Sequence, residues 1–386
     1  MEKGFKKEKF YDDIKYMFNV ISENHPNLFF NISEKELNGF VDNYMKMKHI
    51  DTYEESIYYL MQILNRIGDS HTVLSYDYNK AKIDFTIIDG IVYVKKYDIN
   101  PSLVGGKLTC INGIDINSIL RELQEIIVPR TVDGIYSCME EYLSNKNIIK
   151  ILPSIGKTDR IKYTIKKEDK TYKVKDEISV INEEPKNDKD YYKYELIDNT
   201  LIVNYKKCKN MKDYTFNDMV NDIKTKTNIN SVIVDLRGNN GGNSELIKPL
   251  LNVIKDKNIV TIVDKNVFSS GIMSLMDLKN IGSVIVGTNV AERINSFGET
   301  LHGNTPNYNI NFICSKKYFY YEDGELKYLE GKKEYDEFFS KIDNMKYSYP
   351  VWVQPDYYIQ NSYNDLVNNT DSVLDKALDI LSKKNN

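Results

Sequence analysis

The sequence predicts an α/β fold around a mostly parallel sheet. Three short runs carry that prediction: Ser231-Val232-Ile233-Val234-Asp235, Asn258-Ile259-Val260-Thr261-Ile262-Val263-Asp264 and Ser283-Val284-Ile285-Val286-Gly287. Each is apolar, rich in β-branched residues and bounded by polar or glycine residues, the signature of a buried strand. Between the second and third, Ile272, Leu275, Met276 and Leu278 fall at helical spacing. Strands alternating with helices join by right-handed crossovers, which makes neighbouring strands parallel.

The rest of the 386 residues allows two or three domains. Residues 1–76 read as helices, with Ser33-x-x-Glu36 and Thr52-x-x-Glu55 as capping boxes. Residues 77–185 mix short strands (Ile87-Ile88, Ile91 to Val94, Ile161 to Ile165) with a helix near Ile116 to Ile127, forming a small mixed β/α cap. The polar run Asn182 to Asp190 reads as a linker, and the α/β core occupies 191–386.

Composition removes several classes of function. The net charge is −4, with acids and bases interspersed and no basic stripe, which argues against a nucleic-acid partner. The four cysteines Cys110, Cys138, Cys208 and Cys314 have no metal-ligand spacing, and H-E-x-x-H is absent, so neither metal nor cofactor is expected. No apolar stretch is long enough to span a membrane. The charged start Met1 to Lys7 lacks an apolar core, so no signal peptide is expected in this chain. That leaves a cytoplasmic protein or an extracytoplasmic one with its leader removed. The oligomeric state has no sequence signal.

Two strand-to-helix corners suit chemistry. Asp235-Leu236-Arg237-Gly238-Asn239-Asn240-Gly241-Gly242 follows the first strand, and its glycines let backbone N–H groups turn outward toward an anion or oxyanion. The spacing fits neither phosphate-binding glycine motif. Phe268-Ser269-Ser270-Gly271 follows the second strand and sets two hydroxyls at a helix start, where a serine is either an N-cap or an exposed nucleophile.

The order of these motifs resembles the core of the S41 serine peptidases, the C-terminal processing (tail-specific) proteases and the tricorn-like enzymes. The resemblance rests on Asp235 to Gly242, Phe268 to Gly271 and Val284 to Gly287. It extends to His25-Pro26-Asn27-Leu28-Phe29, Arg66 to Thr72, Gly106-Lys107-Leu108 with Ile111 to Asp115, and Pro355-Asp356 with Asp371 and Leu374. It implies a ClpP/crotonase-like core, a PDZ-like character for the cap and a peptide or protein substrate. Ser269 becomes the nucleophile, with Ser270 as the neighbouring alternative. The N–H groups of Gly242 and Ser270 become the oxyanion hole, and Gly241 is a secondary candidate.

The base follows from a departure. One branch of the family uses a lysine after the third strand, but Arg293 stands there, and arginine does not give up its proton. Arg293 is therefore only a secondary candidate. Of the four histidines, His25 reads as a packed turn residue, His49 as surface and His302 as surface or site. His71 lies on a tight connection after Gly68-Asp69. Ser70-His71 resembles the tricorn-like branch, in which histidine is the base. The same resemblance makes Glu299, in Asn295-Ser296-Phe297-Gly298-Glu299, the expected partner of the imidazole, helped by Ser70. Two other readings stay open at this point: an inactive peptide-binding or scaffold protein of the same fold, and a crotonase-type acyl-CoA enzyme.

Overall fold

The computed structural model describes residues 4–75, 80–128, 130–156, 158, 160–175, 190–341 and 352–384. The polar run 182–189 lies outside them. The helices α1 (Lys7–Asn24), α2 (Glu34–Tyr44) and α3 (Tyr53–Ile67) open the chain. Both expected capping boxes are present: Ser33 with Glu36 starts α2, and Thr52 with Glu55 starts α3. Each box satisfies helix-end N–H groups that have no intrahelical acceptor. Gly68, with φ of 80°, ends α3 in the left-handed region and turns the chain into β1 (Val73–Leu74).

The cap follows, with strands β2 (Ile83–Ile88), β3 (Ile91–Tyr97), β4 (Lys107–Ile111), β5 (Ile114–Asp115), β6 (Lys162–Lys167) and β7 (Lys170–Lys175). They form one sheet in the order β2-β3-β4-β6-β7, with β5 paired to β4. Three helices accompany it: α4 (Ile116–Ile126), α5 (Val132–Leu143) and α6 (Lys146–Ile151). Only the first was expected. The N-terminal helices and the cap share a continuous apolar core that runs from Phe10 and Leu60 through Phe85 and Leu123 to Tyr163.

The second core belongs to the predicted α/β unit. Its sheet runs β16-β12-β11-β10-β9-β8. The strands are β8 (Tyr192–Ile197), β9 (Thr200–Tyr205), β10 (Ser231–Asp235), β11 (Asn258–Val263), β12 (Val284–Gly287) and β16 (Tyr357–Tyr358). All neighbours from β9 to β16 are parallel, and β8 alone is antiparallel. The helices α7 (Phe216–Lys224), α8 (Lys248–Ile254) and α9 (Ser270–Asn280) pack on one face, around Met219, Leu250 and Leu275. The C-terminal helix Ser372–Lys384 covers the other face with Val373, Ala377 and Leu381. The central strands β10, β11 and β12 are buried on both faces, which is why they read as continuous apolar runs.

A third layer joins the two. The strands β13 (Ser296–Asn304), β14 (Asn311–Glu322) and β15 (Glu325–Glu330) are antiparallel, and β14 also pairs with β1 through Val73↔Ile313 and Leu74↔Phe312. The helix α10 (Gly331–Phe339) follows β15. Pairing of β1 with β14 anchors the end of the His71 connection.

The candidate active site

Asp235, Val263 and Gly287 end adjacent parallel strands, so the loops that follow them emerge together at one rim of the sheet. That rim is where open α/β sheets place their ligands.

The glycine loop is held from both sides. Asp235 grips Arg237, whose Nη2 lies 2.6 Å from Oδ2, and Arg237 Nη1 reaches Asp371 Oδ1 at 2.9 Å. This clamp joins the loop to the start of the C-terminal helix and explains the Asp-Leu-Arg triplet and Asp371 as structural. Asp356 is structural too, accepting the Ile285 N–H at 2.8 Å. Fully buried Asn239 bolts the loop to its surroundings. Its Nδ2 donates to the Tyr205 carbonyl at 2.9 Å, its Oδ1 accepts the Gly241 N–H at 3.0 Å, and its own carbonyl accepts the Phe268 N–H at 3.0 Å.

Glycine is required where the two corners meet. At Gly241, with φ of 102°, a Cβ would lie 2.9 Å from Ser269 Cβ and 2.9 Å from the Ser270 nitrogen. At Gly242, with φ of 135°, a Cβ would strike the Cys208 carbonyl. Gly242→Ala is therefore expected to destabilise the fold by more than about 1 kcal/mol. Urea denaturation followed by circular dichroism reads that loss, and an unchanged midpoint would show that the loop is not confined as described.

The structure separates the two serines. Ser269 has φ of 52° and ψ of −128°, a strained conformation for a residue with a side chain. It occupies the N-cap position of α9, yet its hydroxyl makes no capping bond. The Ser270 hydroxyl is committed, donating to the Gly242 carbonyl at 2.7 Å. Among the described residues, the N–H groups of Gly242 and Ser270 have no acceptor.

His71 reaches this corner through aromatic contact. Its ring stacks on Phe268, the residue before Ser269, with centroids 4.5 Å apart and planes 18° from parallel. Both ring nitrogens are buried without a hydrogen-bond partner among the described residues. Nδ1 lies 3.6 Å from Glu292 Oε1, and the side chains are only 11% and 7% exposed. Ser70 Oγ donates to the same Glu292 oxygen. Burial disfavours the imidazolium, but the neighbouring Glu292 carboxylate and the charge of Asp69 outweigh burial and Arg130. The His71 pKa is consequently raised.

Asp69 fixes the backbone under His71. Its Oδ1 accepts the His71 N–H at 3.0 Å, while Oδ2 faces His25 Nε2 at 3.2 Å and accepts from Thr72 Oγ1 at 2.5 Å and Ser315 Oγ at 2.6 Å. Burial opposes its charge, but these partners, His25 first, hold its pKa below the ordinary carboxylate range. A depressed pKa stabilises the fold above the unfolded value near 3.9, and that contribution is lost as pH falls through the lower folded value. Asp69→Asn is expected to cost about 3 kcal/mol or more at neutral pH in urea denaturation, because it leaves the buried polar groups around it under-satisfied. A loss below about 1 kcal/mol would count against the hub.

One expectation needs correcting. Glu299 is not the carboxylate beside His71. It is 49% exposed and pairs with Lys317 Nζ at 3.0 Å across the β13–β14 ladder. Glu292 takes the place expected for it. Arg293, the secondary candidate with no proton-accepting role, lies over the Phe30 ring, its guanidinium carbon 5.2 Å from the centroid. His25 is the packed turn residue expected, its ring 4.5 Å from that of Phe297 and tilted by 46°, while His49 and His302 are exposed. Sequence reasoning also missed Asn239, Asp69, Phe268 and Arg130. Glu292 did leave a trace: it directly precedes Arg293 and follows the apolar pair Val290-Ala291.

No protein-family model matches the sequence, and no curated protein is similar to it in sequence. Solved structures do match. A CPAF serine-to-alanine mutant aligns over 97% of this chain and 98% of its own at 10% identity, with a TM-score of 0.67. Mature CPAF complexed with lactacystin aligns over 97% of each chain at 10% identity, with a TM-score of 0.63. The photosystem II D1 C-terminal processing protease aligns more loosely, over 91% of this chain and 93% of its own at 9% identity, with a TM-score of 0.46. The chain thus has the α/β fold of the CPAF structures.

Proposed function

We propose that the chain is a serine-type peptidase acting on peptide or protein substrates. One observation carries the reading: a strained serine whose hydroxyl makes no hydrogen bond among the described residues sits next to a ring that stacks on a buried imidazole facing Glu292. In this reading His71 takes the Ser269 proton as Oγ attacks the substrate carbonyl. Glu292 and Ser70 hold the imidazole and favour the imidazolium that forms. The Gly242 and Ser270 N–H groups receive the oxyanion. Collapse of the tetrahedral adduct expels the amine, which takes the proton from His71. Water, deprotonated by the same imidazole, then attacks the acyl carbon, and the acyl–Oγ bond breaks as Ser269 Oγ takes the proton back from His71.

The test is labelling with a fluorophosphonate probe followed by peptide mapping. The expected result is a single adduct on Ser269. Folded protein that takes no label would favour the inactive peptide-binding reading, and an adduct on Ser270 would overturn the assignment of the nucleophile.

A further inference from the structure

Arg130 brings a positive charge to the same corner. Its guanidinium carbon lies 4.6 Å from the centroid of the Phe268 ring, the ring on which His71 stacks. The following residue fixes its approach: Thr131 caps α5, and its hydroxyl donates to the Val290 carbonyl at 2.7 Å, just ahead of Glu292. Arg130 is half-buried, and its Nε is sealed from solvent with no acceptor. It forms no hydrogen bond or ion pair among the described residues. The charges of Glu292 and Glu141 reach it only from beyond ion-pair distance, and Glu292 is already engaged by Ser70 and His71.

A partly desolvated guanidinium without an anion is costly, and the group is built to grip a carboxylate with two parallel N–H donors. Stacking on Phe268 offsets little of that cost, since a cation–π contact leaves the N–H donors unmet. A substrate carbonyl over Ser269 would bring its neighbouring residues past this side chain.

We propose that Arg130 binds a substrate carboxylate close to the scissile bond, supplied by an acidic side chain or by the C-terminus of the peptide. The proposal rests on the peptidase reading for the meaning of the site, but its test does not require turnover. Four fluorescein-labelled decapeptides of one Ala/Leu-rich sequence separate the sources. One pair ends in a free carboxylate or a carboxamide, and the other carries Glu or Gln at its centre. Their binding to the Ser269→Ala protein is read by fluorescence anisotropy.

Within at least one pair the carboxylate form should bind about tenfold tighter or more, the range of a charge-assisted hydrogen bond. Adding Arg130→Met should bring that ratio to about one, while Arg130→Lys should keep part of it, which separates lost charge from lost packing. Equal binding within both pairs, no measurable binding, or a preference that survives Arg130→Met overturns the proposal. Discrimination by Arg130 in a protein whose Ser269 takes no fluorophosphonate label would sink the peptidase reading and leave the carboxylate site standing.

Discussion

Ser269→Ala should abolish fluorophosphonate labelling and lower turnover by on the order of 10⁴-fold or more, the scale seen when a serine nucleophile is removed. The fold should survive, because the Ser269 hydroxyl makes no capping bond and no other hydrogen bond among the described residues. The backbone supplies an internal control. At φ of 52° any side chain is strained, so Ser269→Gly should be as inactive as Ser269→Ala yet more stable, by up to about 1 kcal/mol in urea denaturation. Ser270→Ala should behave differently. It removes the bond to the Gly242 carbonyl and loosens the oxyanion loop, but leaves the attacking oxygen, so labelling should be slower and still occur. Labelling that persists in Ser269→Ala and disappears in Ser270→Ala would reverse the two roles.

Three of the six strands of the α/β core, β10, β11 and β12, were legible because they are buried on both faces, which writes β-branched runs such as Val232-Ile233-Val234 into the chain, whereas β8 and β16 are largely exposed and carry no such run. The helix caps were legible because their residues act within three positions of one another. The helix α5 was not. Gly134 lies inside it and reads locally as a breaker, yet a Cβ there would strike the Ala291 carbonyl, so tertiary approach demands the glycine.

The site divides in the same way. Ser269, Gly241 and Gly242 sit in local motifs, and the structure brings them together. Choosing between acids on one long loop-and-strand segment needed the fold, because both Glu292 and Glu299 lie between β12 and β14. Glu299 is drawn to Lys317 on the neighbouring strand, whereas Glu292 is buried under Ser70, more than 200 positions away in sequence. Arg130 had no motif at all, and its meaning arises only from what surrounds it.

Glu292→Gln is expected to be the most damaging change outside the nucleophile and the histidine. A neutral amide no longer stabilises the imidazolium, and loss of the corresponding acid in a Ser-His-Asp triad costs on the order of 10⁴-fold in turnover. The pH profile separates this role from a merely structural one. His71 accepts a proton only when neutral, and its pKa is raised by Glu292 and Asp69, so activity should fall as pH drops through a value above the ordinary 6.5. In Glu292→Gln the largest raising influence is gone, while burial and the Arg130 charge still lower the pKa. The residual activity should then persist to lower pH than in the parent protein. Glu299→Gln should leave both turnover and profile nearly unchanged, since its carboxylate faces Lys317 at the surface. Steady-state kcat/KM across pH 5–9 for the two variants decides the matter. If Glu299→Gln were crippled with a shifted profile and Glu292→Gln were not, the carboxylate now placed beside His71 would not be the one that serves it.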